Sequence, residues 1–350
     1  MAESALMSTA GEEADYICLS HCWGLAQIIT TTKATLNERK RGIPWGLLSN
    51  TFQDAIVMTR TLGFRYIWID SLCIVQDDAL DWEKESAQMA SVYSNGYLTL
   101  AGTRSRKGNG GLFSKKHDVE VSGTTPNGHS YCIHFRERID DRIEMIPDST
   151  NEHYPLLTRA WVYQERILST RVLHFGHFEL FFECHSSIQC ECGYVSYEED
   201  DPGIEKSLVK IEFADALSQL SLPGAQEVDA NTAYYAARMW RTIVSSYSAL
   251  SLTKAADRLP ALGGLARQTA AARGTTYYAG LWKDRSTMIF SGPPIAKQEP
   301  SLQHRGRAQE QLLHGRGQAH QDTSIITTRL SSPALMKGLS IHKSRIGTSQ

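Results

Sequence analysis

The apolar positions in the first third of the chain alternate between two periods. "YICLS" (16–20) is a short apolar strand ending at the polar loop "HCWG". Over 51–63, "TFQDAIVMTRTLG" sets Phe52, Ala55, Ile56, Thr59 and Leu62 on one helical face. Thr51 and Asp54 have capping-box spacing, and Gly63 suits the stop. The strand "RYIWID" (65–70) follows at once. "DWEKESAQMASVY" (81–93) then lines Trp82, Ser86, Met89 and Tyr93 along one stripe, with acids opposite and in the first turn. "YLTLA" (97–101) is a third strand. Strand, helix, strand, helix, strand with short connections predicts right-handed crossovers and a parallel sheet.

Further along, 103–114 reads as loop, and 115–150 is mixed, with strand patterns at "DVEVS" and "YCIHF". "RAWVYQERILS" (159–169) predicts a short helix leading into the apolar strands "RVLHF" and "FELFFEC". Helical periodicity returns at 204–221 and 231–250, the latter through Trp240, Ile243, Val244, Tyr247 and Leu250, and 257–270 reads as a turn entering another helix. After about 290 the apolar period is lost and Gln, His, Arg and Gly dominate. Such composition buries too little apolar surface to offset chain entropy, which predicts disorder.

Composition narrows the classes. At 350 residues and 41% hydrophobic, the chain can build one large domain or two modest ones. A formal net charge of −2 gives no global basic field, so nucleic acid is not an expected partner. No run of about 18 apolar residues predicts a membrane span. The amino terminus lacks a basic region followed by an apolar stretch, which points to a cytoplasmic protein. The seven cysteines are an odd number in mostly apolar surroundings, as reduced thiols often are. "ECHSSIQCEC" (183–192) is the best metal candidate, but its spacing does not match paired zinc knuckles, and thiols in a buried β-hairpin are the preferred reading. No metal site is expected.

Open α/β sheets hold ligands at the carboxyl ends of their parallel strands. Three segments place polar residues there: Ser20 to Gly24, Asp70 to Asp78 and Ala101 to Arg104. "TRAWVYQER" adds Glu165 from further along, which together could enclose acids, a thiol, aromatic walls and an arginine. Plainer roles compete with each. Glu165 can pair with Arg159 or Arg166, Trp23 and Trp161 can be core, and Asp70 can accept backbone N–H groups at a strand end. Cys73 as nucleophile needs a base, and none is evident nearby. Adjacent His21 and Cys22 tend to face opposite ways on a strand end. The acids from Asp77 to Glu85 fit a solvated helix face better than a calcium loop, with Asp77 and Asp78 capping the helix. "KGNGG" (107–111) follows a strand but lacks the Lys-Ser/Thr ending of a phosphate loop.

"LSHCWG", "YIWIDSLCIVQDD" with "WEKESAQM", and "TRAWVYQERILSTRVLHF" resemble, in order and spacing, the three blocks of the fungal HET (heterokaryon incompatibility) domain. The resemblance covers about 15–185 and extends weakly to about 290. Many relatives carry Tyr or Phe at the position of His21. The resemblance implies self/non-self recognition and regulated cell death, with self-association or other cell-death signalling proteins as partners. The HET domain in turn looks like a distant relative of the TIR fold, an open parallel sheet flanked by helices. Some TIR domains hydrolyse NAD with a glutamate four residues after a Trp, the spacing of Trp161 and Glu165, which share a helical face. The implied site has Glu165 as catalytic residue and Ser20, Trp23, Asp70, Cys73 and Trp161 around the nucleotide. NAD would be the substrate, with no permanently bound cofactor. The expected organisation is a flexible 1–14, an α/β TIR-like core over 15–185, an α-rich extension over 186–290 and a disordered tail over 291–350. Two other readings stand beside the enzyme: a non-enzymatic scaffold working by oligomerisation, and an inactive degenerate copy.

Overall fold

The computed structural model describes residues 4–9, 13–24, 28–114, 119–135, 153–177, 179–191, 196–197, 209–220, 230–278, 280–283 and 324–328. Its centre is a mixed sheet that begins with β1 (Ser4–Ser8) and β2 (Tyr16–Ser20). After a short helix α1 (Leu36–Arg41), helix α2 (Asn50–Thr61) leads to β3 (Tyr66–Ile69). A single helical turn α3 (Asp70–Cys73) and the long helix α4 (Ala79–Asn95) lead to β4 (Leu98–Ala101). Ile17, Cys18 and Leu19, and likewise Ile67, Trp68 and Ile69, are fully buried in succession. Such runs mark strands covered on both faces, which is why they read as continuous apolar stretches.

Beyond β4 comes a separate hairpin of β5 (Val119–Thr124) and β6 (Ser130–Phe135), then helix α5 (Ala160–Leu168). The sheet is extended by β7 (Arg171–Phe175), β8 (Leu180–Cys184), β9 (Ile188–Cys190) and β10 (Ser196–Tyr197). Helices α6 (Val209–Leu220), α7 (Ala230–Ser248) and α8 (Pro260–Arg273) form the extension, followed by the small pair β11 (Tyr277–Tyr278) and β12 (Leu281–Trp282). A last strand, β13 (Ser324–Thr328), returns to the sheet.

The sheet order is β1-β13-β3-β2-β4-β7-β8-β9-β10. Its four central strands, β3, β2, β4 and β7, are parallel, and both flanks are antiparallel. In chain order the parallel strands therefore lie 2-1-3-4. Chain leaving β2 goes to one side and chain leaving β4 to the other, which opens a crevice at their carboxyl ends. Right-handed crossovers in opposite directions put α2 and α4 on opposite faces.

The parallel α/β core matches the sequence expectation closely, with differences at the edges. Ser4–Ser8, placed in a flexible amino terminus, is a strand paired with β13. The expected tail lies outside the described residues except for β13. Helix α2 is capped by Ser49, whose hydroxyl accepts the Phe52 N–H at 3.3 Å. Asp54, read as part of a capping box, instead accepts the Leu112 N–H at 2.8 Å and so ties down the loop after β4. Asp78 does cap α4 through Leu80 N–H (3.1 Å), whereas Asp77 accepts the Lys33 N–H (2.7 Å).

Among the described residues, three apolar clusters fill the interior. The largest lies under β2, β3 and β4. The second joins Tyr163, Ile167 and Leu168 of α5 to Trp240, Ile243 and Leu265 of the extension. The third packs Cys22, Val162, Phe181 and Cys190 beside β7 to β9. Helix α5 sits where they meet, with eight of its nine residues buried. A helix buried on nearly every side is an interior helix, so its polar residues must find partners inside the protein.

Candidate functional site

Successive residues of α5 reach three different neighbours, because each step along a helix turns about 100°. Gln164 faces the extension, where its Oε1 accepts the Gly264 N–H at 2.6 Å. Arg166 faces β8 and donates to both carboxylate oxygens of Glu183 at 2.8 and 2.9 Å. Glu165, between them, faces the end of β2, and Ser20 Oγ donates to its Oε2 at 2.6 Å.

Glu165 is only 6% exposed. Burial raises its pKa from 4.5 to about 7; the Ser20 hydrogen bond offsets part of this and the nearby Asp70 charge adds to it. Tyr93, from the last turn of α4, lies against the same carboxyl and is itself pushed far up, first by burial and then by Glu165. Its hydroxyl also donates to Leu19 O at 3.2 Å. A carboxyl that is half ionised near neutral pH, with hydroxyl groups around it, is suited to acid–base or charge-stabilising work.

Asp70 flanks the carboxyl at the end of β3. Trp23 Nε1 donates to its Oδ2 at 2.9 Å, and its Oδ1 accepts the Ser71 N–H at 2.6 Å. His21 Nδ1 stands 3.7 Å from Asp70, its ring edge-on to Phe52. Burial lowers the His21 pKa despite Asp70, which favours the neutral imidazole. Cys22 points the other way, into the third cluster, as adjacent positions on a strand end do. Arg159 donates to His21 O at 2.7 Å and to the Cys22 thiol, which burial nonetheless pushes up.

Of the residues singled out from sequence, Ser20, Trp23, Asp70 and Glu165 come together in the crevice. Trp161 sits at the seam between the first and second clusters, its indole N–H donating to Asp257 of the extension at 3.0 Å. Cys73 is packed in the main core, and its sulfur accepts the Ile69 N–H at 3.4 Å. Neither Arg159 nor Arg166 forms an ion pair with Glu165 within contact distance; Arg159 acts on it through its field alone.

Two features escaped the sequence reading. Tyr93 is one, although its place on the buried stripe of α4 was evident. The other is a polar cluster behind the site. Glu183 is fully buried between Arg166 and His174, whose Nε2 is 3.2 Å away. Burial opposes its charge most, but Arg166 and His174 together outweigh burial and hold the carboxyl well below the usual range. Lys210 of α6 reaches in and donates to Arg166 O and Ser169 O, closing the carboxyl end of α5, and burial lowers its pKa to about 8. Charged residues inside "RVLHF" and "FELFFEC" were the available signal. Among the described residues no group of three His, Cys, Asp or Glu could hold a metal, and no helix is long and apolar enough to cross a membrane.

No curated protein and no solved structure matches the chain. The family of heterokaryon incompatibility proteins (HET) matches over residues 16–165, from the first residue of β2 to Glu165. That stretch contains every residue of the crevice, and over it the chain is similar to the HET domain.

Proposed function

We propose that this protein is a cytoplasmic effector of fungal self/non-self recognition and regulated cell death, and that its latent reaction is hydrolysis of NAD or a related nucleotide. The observation that carries the reading is the Glu165 carboxyl, buried in a crevice at the carboxyl ends of parallel strands and held near pKa 7. The 2-1-3-4 order of those strands also fits a doubly wound sheet, in which ligands sit where the strand order reverses. In the proposed step the bond between nicotinamide and ribose C1′ breaks, and nicotinamide leaves neutral with the bonding pair. Ionised Glu165 stabilises the oxocarbenium-like carbon, water adds there and its proton passes to the carboxylate. Ser20 and Tyr93 orient the carboxyl, and Trp23 offers an aromatic face at the rim. Because Glu165 is closed off in this state, substrate enters only when the loops over it part, a change that assembly of several copies would supply.

The test is nicotinamide release from NAD by the full chain, with and without a crowding agent, beside Glu165→Gln. Release by wild type and not by the variant is the expected result. No turnover by a folded sample under either condition overturns it. The burial of Glu165 then becomes the argument for a scaffold, with the carboxyl as a structural hydrogen-bond partner of Ser20.

A further inference from the structure

Beyond Lys283 the described residues contain one element, β13, and it fills a slot inside the sheet rather than extending an edge. β13 lies between β1 and β3 and pairs antiparallel with both. Its residues face β1 in full register, with Ser4 opposite Thr328 and Ser8 opposite Ser324. Ile326 and Thr327 also face Ile67 and Tyr66 of β3. The segment "SIITT" is uncharged, lacks Pro and is β-branched at four of its five positions, amid sequence dominated by Gln, His, Arg and Gly. Such a segment takes up strand structure wherever a free edge is offered.

The walls of the slot have anchors of their own. On β1, Ser4 O accepts the Ile43 N–H at 2.6 Å, and Ser4 Oγ accepts from Arg60 at 3.3 Å. Leu6 is buried in the main core. On the far side, β3 is held by its parallel pairing with β2. Two walls separated by one strand stand about 9.5 Å apart, the width that a single incoming strand bridges. Ile67, Trp68 and Ile69 are fully buried, so β3 is an interior strand by composition, and its open edge would be a template for pairing.

Only the covalent connection ties β13 to the slot of its own chain. Residues 283–323 separate it from β12, a length that reaches up to about 140 Å when extended. A second copy offers the same residues in the same register. Exchange would keep every strand pair and change only which chain supplies it. The own-chain strand has the advantage of an effective concentration on the order of millimolar, which clustered copies cancel.

We propose that the slot between β1 and β3 accepts the β13 strand of a second copy, so that copies of this chain associate by exchanging it. Reciprocal exchange closes a dimer, and one-way exchange leaves a strand and a slot to continue the series. β13 also lies against α3, whose first residue is Asp70. The strand supplied by one copy therefore borders the crevice of the next. This association needs no reaction at Glu165.

The experiment uses two full-length variants, Ser8→Cys and Ser324→Cys, whose altered positions face each other in the ladder. A chain carrying both changes, oxidised when dilute, should form the 8–324 disulfide within itself. An equimolar mixture of the single variants can form it only between chains. The linked peptide, identified by mass spectrometry apart from links through native thiols, should rise at least tenfold between about 10 μM and about 1 mM protein. Adding Ile326→Pro to the Ser324→Cys chain should abolish it, because Pro cannot donate to the ladder. A link in the double variant but none in the mixture overturns exchange. No link in either overturns the slot as the seat of β13. A link in the mixture that survives Ile326→Pro, or that does not grow with concentration, overturns strand pairing as its cause.

Discussion

Replacing Glu165 by Gln should make the protein more stable above neutral pH and leave it nearly unchanged in acid. The native carboxyl titrates at about 7 against an ordinary value of 4.5. Between those values the folded state keeps a proton that the unfolded chain has released. Stability contributed by this group is therefore complete below about pH 4.5, falls as pH rises and is gone above about 7. At about 1.4 kcal/mol per tenfold change in proton affinity, the full difference is about 3 kcal/mol. Gln does not titrate, and its carbonyl can accept from Ser20 as Oε2 does. Unfolding free energies from urea titrations of both proteins at pH 5, 6, 7 and 8 give the difference directly. It should open by about 3 kcal/mol in favour of Gln between pH 5 and pH 8. A difference that stays constant over that range would show that the carboxyl titrates normally and that the acid–base argument for the site is wrong.

Other perturbations test the frame around the site. Arg166→Met leaves Glu183 fully buried with only His174 beside it, and should cost about 3–5 kcal/mol in chemical denaturation. Adding Glu183→Leu to it should recover most of that loss. Gly264→Ala drives a methyl into Ala90 Cβ and to within 2.6 Å of Gln164 Oε1, and should destabilise by about 1–3 kcal/mol. Gly263→Ala next to it meets only Arg267 Nη1 at 3.7 Å, and should be stabilising by up to about 1 kcal/mol in the same assay. Gly24→Ala, at φ +72° and against Lys107, should cost about 1–2 kcal/mol and hasten proteolysis in the 103–111 loop.

The alternation of periods made the parallel core legible, because buried strands and amphipathic helices carry distinct apolar spacings. The strands β2, β3 and β4 fall within a residue or so of the expected runs. Side-chain partners were less legible. Thr51 and Asp54 have the spacing of a capping box, but Ser49 stood two residues before the pattern and nothing local could show that Asp54 reaches a loop 58 residues away. The face shared by Trp161 and Glu165 was read correctly as helical spacing. Spacing does not say what each side chain meets, and one meets Asp257 while the other meets Ser20. Arg166, Glu183 and Lys210 were illegible for the same reason, since their pairing exists only once β8 and α6 are in place.

That dependence makes the extension part of the site. The HET match stops at Glu165, in the middle of α5, yet what holds α5 comes later in the chain. Ala160 N–H donates to Ser251 O, and Ser251 N–H to Thr158 O. Trp161 is held by Asp257 and Gln164 by Gly264. Ala160, Tyr163, Ile167 and Leu168 are buried in a cluster whose other half is α6, α7 and α8. A chain cut after 185 would uncover these side chains. At about 1.5–3 kcal/mol for each large apolar side chain exposed, the loss is on the order of 5–9 kcal/mol for the three larger ones. That is comparable to the whole stability of a typical domain, about 5–15 kcal/mol. Residues 1–185 should therefore show no cooperative thermal melt by circular dichroism and should be cleaved rapidly within 159–169, whereas the full chain resists. A fragment that melts cooperatively at the full-length temperature would mean that α5 keeps its place without the extension, and that Glu165 owes its position to the sheet alone.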